Sequence, residues 1–228
     1  MLYTVEKYFL LFFIYAVVGW CIEVTGELIS KHRFVNRGFL IGPYCPIYGF
    51  GAALITLLLK RYLNDPAALF VMAVVVCSVL EYLTSFFMEK LFHARWWDYS
   101  KDKFNINGRI CLRTMIPFGL LGLLMMYVLN PFLLGVLEKL PSAALTVISI
   151  IVFAAYITDN VISFNIVKNV KVAGLPFTDN TEEITEKVKQ ILRKKSVLNR
   201  RLVNAFPKMK LKLKQKLDIT KSKPDKTE

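Results

Sequence analysis

Five stretches of this 228-residue chain are apolar over roughly 20 residues or more, the length an α-helix needs to cross the hydrocarbon core of a bilayer. They run from Tyr8 to Ile29, Tyr44 to Leu63, Ala67 to Leu91, Leu112 to Leu137 and Ala143 to Val167. Hydrophobic residues make up 55% of the chain and mean hydropathy is +0.44. Surface-to-volume scaling leaves a soluble domain of this size too much wet surface for such a composition. Asn64, Asp65 and Pro66 interrupt the apolar pattern between the second and third stretches, and Glu138, Lys139, Leu140 and Pro141 between the fourth and fifth. Proline cannot continue a helix and favours a turn. Pro43, Pro46, Gly49 and Gly51 crowd the start of the second stretch, the least regular of the five. The first stretch has no basic leader or small-x-small cleavage site, and Glu23 and Glu27 lie in its last turns. It is expected to be a retained helix rather than a removed signal.

The chain carries 30 Lys and Arg against 17 acidic residues, a net charge of +13. That balance raises a nucleic-acid reading, but the charge sits in the loops and the tail, outside the apolar stretches. With the C-terminus placed inside, the inside segments hold 26 basic residues and the outside segments only Lys7, Lys60, Arg61 and Lys139. Without the tail the balance is still 9 against 4. The positive-inside rule therefore gives an outside N-terminus and an inside C-terminus. The expected fold is an all-α integral membrane protein of about five transmembrane helices, multi-pass in the cell membrane. Residues 1–170 form the membrane domain and 171–228 a cytoplasmic basic tail.

The tail reads as a basic amphipathic helix. Asn180 and Glu183 have capping-box spacing, and Ile184, Val188, Ile191, Leu198 and Leu202 recur at helical intervals before Pro207. Lys208, Lys210, Lys212, Lys214 and Lys216 then alternate with Met209, Leu211 and Leu213. Such a segment beside a membrane binds anionic lipid, at ~1 kcal/mol per basic residue near the surface. Docking to a partner protein is the alternative. Nucleic acid is not an expected partner, because the helix lacks aromatic stacking groups. From Lys221 onward the sequence reads as disordered.

Cys21, Cys45, Cys77 and Cys111 include no Cys-x-x-Cys pair, and His32 and His93 stand apart. No disulfide framework, metal site or cofactor is expected.

A weak internal repeat runs through the first four stretches. Glu27, Arg33 and Phe34 match Glu89, Arg95 and Trp96 in spacing, with His32 and His93 one position apart in register. Asn36-Arg37-Gly38 then faces Asn107-Gly108-Arg109, and Pro46 faces Pro117. Two helix–loop–helix units of the same orientation would be a parallel repeat about the membrane normal. Two helix pairs plus one helix make a small bundle, which a homodimer or a partner subunit would enlarge.

Carboxylates inside the stretches are the best site candidates, since one near the bilayer centre costs ~2.5–3.5 kcal/mol on insertion scales. Glu81 lies near the middle of the third stretch, and Glu23 and Asp159 in the inside halves of the first and fifth. Glu27 shares a face with Glu23, Ser85 and Glu89 with Glu81, and Ser163 with Asp159. Three such stripes facing inward would line a polar cavity open to the cytoplasm. The plainer reading is that each acid pairs with a nearby arginine or ends a helix at the headgroups. Arg37, Arg95 and Arg109 are the candidate charge partners, and Arg37 with Arg109 would also suit a phosphate or carboxylate. The apolar loop Phe34–Gly51 is expected to pack into the bundle mouth. Trp96, Trp97, Asp98 and Tyr99, with Asn107, form an aromatic motif suited to the membrane interface.

Several of these strings carry a resemblance. Asn36-Arg37-Gly38-Phe39-Leu40, Gly42-Pro43, Pro46-Ile47-Tyr48-Gly49, Leu80-Glu81-Tyr82-Leu83-Thr84-Ser85, Trp96-Trp97-Asp98-Tyr99 and Phe104 through Leu112 resemble the CmpB-like family. The resemblance covers roughly residues 5 to 170. It implies the permease of a type IV ABC transporter. The chain has no Gly-x-x-x-x-Gly-Lys-Ser/Thr phosphate loop, so the resemblance also implies a separate ATPase subunit. Two other functions remain open on the residues alone. One is an intramembrane enzyme or lipid-handling protein acting on a lipid or isoprenoid, with Glu81 or Asp159 in acid–base work and an arginine on the head group. The other is a non-catalytic membrane scaffold or regulator working through the tail.

Overall fold

A computed structural model describes residues 2–32, 34–92, 94–170, 190, 197–206 and 210–211. Arg33, His93 and the tail positions 180–184, 188, 191, 207–209 and 212–228 lie outside the described residues. The chain opens with α1 (Leu2–Lys31) and continues through α2 (Pro46–Leu58), a 3-10 turn at Lys60–Tyr62 and α3 (Pro66–Phe92). α4 (Leu112–Leu124), a π-helical turn (Met125–Leu129) and α5 (Asn130–Glu138) follow, then α6 (Ser142–Val170) and α7 (Val197–Ala205). Four helices are long and apolar enough to cross a membrane: Leu2–Ser30, Pro66–Phe92, Leu112–Glu138 and Ser142–Asn165.

The turn residues act where the sequence puts them. Asp65 caps α3, its carboxylate accepting from the Ala68 amide at 3.0 Å, and Pro66 takes the first helical position, where a missing N–H costs nothing. The second stretch is shorter as a helix than its apolar run. α2 has 13 residues, about 20 Å at 1.5 Å per residue, against a hydrocarbon core of ~30 Å. Gly38, with φ of +100°, and Pro43 keep the preceding chain out of helix. That irregular chain packs inward instead: Val35, Leu40, Tyr44 and Cys45 are buried, and the Cys45 amide bonds the Ala16 carbonyl of α1 at 2.8 Å. The π turn in the fourth helix lies just before Pro131, whose ring displaces the carbonyl one turn earlier.

α1 pairs with α2 and α3 with α4, while α6 lies against α1. Small residues set the closest approach. A Cβ at Gly19 would sit 2.2 Å from the Tyr48 ring, and one at Gly49 would sit 2.6 Å from the Phe12 carbonyl oxygen. This is how membrane helices gain contact without a hydrophobic driving force between them.

Burial on α3 is inverted relative to a soluble protein. Val71, Val75, Val79, Leu83, Phe87 and Leu91 form an exposed stripe, while Ser78, Glu81, Ser85 and Glu89 are buried. Apolar outside and polar inside is the arrangement a lipid solvent selects. The end of the bundle away from the long loops has an apolar core around Leu11, Ile55, Leu69 and Ala73. It holds one satisfied polar node: Tyr15 donates to Asn130 at 2.7 Å, and Asn130 donates to Thr56 at 2.9 Å.

The loop between α3 and α4 contains a small hairpin. β2 (Asn105–Ile106) pairs antiparallel with β3 (Ile110–Cys111). Asn107 and Gly108 turn it with φ of +52° and +64°, the left-handed pair that suits Asn-Gly in a tight hairpin turn. At the same end β1 (Ala94–Arg95) pairs with β4 (Lys210–Leu211), bringing the tail back over the loops.

Candidate functional site

The expected site residues divide into three groups. The first is on α1. Glu23 and Glu27, four residues apart on one helix face, both face Arg37 from the loop before α2, at 3.3 and 3.5 Å. Tyr48, on α2, donates its hydroxyl to the other oxygen of Glu23 at 2.8 Å.

The second group is on α3 and the following loop. Glu89 lies between Arg95 at 3.1 Å and Arg109 at 3.0 Å. Arg95 also faces Asp98 at 3.6 Å. Arg109 donates to Ser85 at 3.2 Å and stacks over the Tyr82 and Phe86 rings, 5.6 and 5.4 Å from their centroids. Burying two arginines and two acids together is tolerable because they satisfy one another.

Glu81 belongs beside this group but is held differently. It is 6% exposed, accepts from the Tyr99 hydroxyl at 3.3 Å and from Thr114 at 3.4 Å, and has no ion pair among the described residues. Its carboxylate lies within electrostatic reach of Glu23. Burial first, then the charges of Glu81 and Glu23, push the Tyr99 phenol well above its ordinary range, so it remains a donor at any physiological pH. Glu23 on α1 and Glu81 on α3 thus feel each other's charge, Tyr48 bonding the first and Tyr99 and Thr114 the second.

Asp159 has other partners. Its carboxylate accepts from the Ile41 and Gly42 amides at 3.0 and 2.7 Å, from Ser163 at 2.8 Å and from the Tyr44 hydroxyl at 2.5 Å. Four donors saturate the group, which pins the loop before α2 to α6.

The residues of the aromatic motif have partners within the protein. Trp96 is 3% exposed and packs against Leu202 and Val203 of α7. Trp97 donates to the Arg109 carbonyl at 3.0 Å, Asp98 accepts from the Ser100 hydroxyl, and Tyr99 reaches Glu81. Asn107 donates to Tyr82 at 3.0 Å.

The two loops make parallel contacts. Arg37 pairs with Glu27 and Glu23, and Arg109 with Glu89 and Ser85, each 62 residues further on. Trp20 donates to Asn36 at 2.8 Å, and Tyr82, again 62 residues on, accepts from Asn107. Gly38 and Gly108 both have positive φ.

Tyr48, which the sequence offers only within the Pro46–Gly49 string, and Thr114 are not among the candidate site residues. Both lie on apolar helices where a single hydroxyl carries no pattern. Arg201 of α7, which donates to the Gly38 and Leu40 carbonyls, was hidden among the basic residues of the tail.

No curated protein and no solved structure matches the chain. A family model described as "Putative ABC-transporter type IV" matches residues 10–164, about two thirds of the chain, from α1 to near the end of α6 and across all three groups. This chain is a membrane-embedded member of that CmpB-type ABC-transporter family.

Proposed function

We propose that the chain is the membrane subunit of an ABC-type transporter, with a route across the bilayer past Glu23 and Glu81 and its ATPase on a separate subunit. The observation that carries this reading is Glu81, buried near the middle of α3 with hydroxyl partners and no cation among the described residues. A structural acid is matched by an arginine, as Glu89 is, or saturated by close donors, as Asp159 is. A carboxylate left with two long bonds from hydroxyls keeps capacity for a proton or a passing polar group.

The topology follows from the same reading. α2 and its 3-10 turn make a short fifth crossing, the N-terminus lies outside, and the tail lies in the cytoplasm of a cell whose outer membrane boundary this chain spans. The recurrence of the contacts, with helix partners 62 residues on and loop partners 71 or 72 residues on, supports two parallel helix pairs, with α6 as the unpaired helix. The lysine-rich sequence of residues 208–216 suits binding to anionic lipid. The full chain should therefore bind anionic vesicles in a salt-sensitive way, and a chain ending at Val170 should not. Equal binding by the two would remove the lipid role of the tail.

Purification from native membranes in a gentle detergent, with mass spectrometry of what co-purifies, tests the functional reading. A stoichiometric ATPase is the expected result. A tightly bound lipid without any ATPase would replace the transporter reading with that of a lipid-acting enzyme.

A further inference from the structure

One face of α7 is as deeply buried as the middle of the bundle, although the chain's own sequence places it in a basic tail. Leu202, Val203 and Ala205 are 2%, 1% and 0% exposed. Leu202 and Val203 pack on Trp96, with Phe39, Phe92 and Phe206 around them, and the Trp96 and Phe206 ring centroids are 4.8 Å apart. Phe39 comes from the loop before α2 and Trp96 from the loop before α4, so one short helix bridges both loops.

The polar contacts are more specific than the packing. Arg201 donates to the Gly38 and Leu40 carbonyls. Arg37 donates to the carbonyl of Ala205, the last residue of α7, where helix carbonyls lack partners and a positive charge is favoured. The same guanidinium pairs with Glu23 and Glu27. Beyond α7, Lys210–Leu211 pairs with Ala94–Arg95 and fastens the far end.

We propose that α7 is a strap that closes the loop end of the Glu23–Glu81 site and is coupled to that site through Arg37. With α7 docked, Arg37 divides its donors between the carboxylates and the strap. With α7 released, the whole guanidinium turns to Glu23 and Glu27. Anything that changes the charge on those carboxylates therefore changes strap docking, and by linkage the reverse holds as well. This inference rests on the carboxylates forming the functional site, but its test reads accessibility rather than transport, so the two can fail separately.

Cys45 is the built-in reporter. It is buried, its sulfur lies 3.0 Å from where a Cβ on Gly38 would stand, and the Gly38 carbonyl accepts from Arg201 of α7, which places it beneath the strap. Cys77, partly buried on α3, reports on the bundle itself. The full chain in lipid nanodiscs is treated with a water-soluble maleimide, and peptide mass spectrometry follows each cysteine. Leu202→Asp, and separately a chain ending at Val170, should raise the Cys45 rate about tenfold or more, because apolar burial of residues such as Leu202 carries the docking. Cys77 should not change. An unchanged Cys45 rate in both variants would overturn the strap. So would a parallel rise at Cys77, which would make α7 a structural part of the bundle.

Discussion

Arg109→Leu should destabilise the protein by about 3–5 kcal/mol, the usual cost of removing one partner from a buried ion pair. Arg109 is 7% exposed and Glu89 is 8%, so water cannot replace the lost guanidinium. The substitution takes one of the arginines that flank Glu89 and the donor to Ser85. Glu89→Gln in the same chain should recover part of the loss, because a neutral amide no longer needs the guanidinium. Arg37→Leu is the informative comparison. Its side chain and that of Glu23 are 22% and 34% exposed, and partial solvation should make its loss smaller. Thermal unfolding in detergent measures all three. Equal stability of Arg109→Leu and wild type would mean that the α3–loop network contributes nothing to the fold.

Glu81→Gln should do the opposite, sparing the fold and removing function. The amide matches the carboxylate in shape: its oxygen still accepts from Tyr99, and its NH2 donates to the Thr114 hydroxyl oxygen. Removing a charge near the bilayer centre relieves part of the ~2.5–3.5 kcal/mol insertion cost, so stability should be equal or higher. The assembled complex should lose transport and coupled ATP turnover, because the route loses its only carboxylate without a cation partner among the described residues. Wild-type turnover in the Glu81→Gln complex would reduce Glu81 to a structural group.

The contrast between these two sites explains what could be read from sequence and what could not. The four long helices were legible because each demands a run of apolar residues bounded by breakers such as Pro66 and Pro141. The shortness of α2 was less so. The run from Tyr44 to Leu63 is apolar throughout, but the chain before Pro46 spends its apolar residues on packing against α1. The Asn107-Gly108 hairpin had a local signal, a dipeptide suited to a tight turn, that the membrane pattern around it overshadowed. Glu23, Glu27 and Arg37 are candidates in the sequence, and the helix face that the two glutamates share follows from spacing alone.

Contacts that depend on tertiary closure left no trace in spacing. Tyr99 meets Glu81 only because the loop folds back over α3. Asp159 shares depth with Glu81 in a linear count of helix positions. In three dimensions it bonds the loop at Ile41 and Gly42, more than a hundred residues away in the chain. Trp96 meets Leu202 and Val203 of α7 from a segment far away in the chain. Amphipathic patterning identified a helix in the tail but could not say whether its apolar face meets lipid or protein.

Water access to the surroundings of Glu81 tests the central claim most directly. Cysteines replace Ser85 and Thr114 beside Glu81, and Leu83 and Phe87 on the exposed face of α3, in a cysteine-free chain ending at Val170 so that the tail cannot shield the site. A small water-soluble thiol reagent needs water to form the reactive thiolate. A polar route predicts reaction at positions 85 and 114 and none at 83 and 87. Silence at 85 and 114 would contradict the account and leave Glu81 as a dry polar contact between helices.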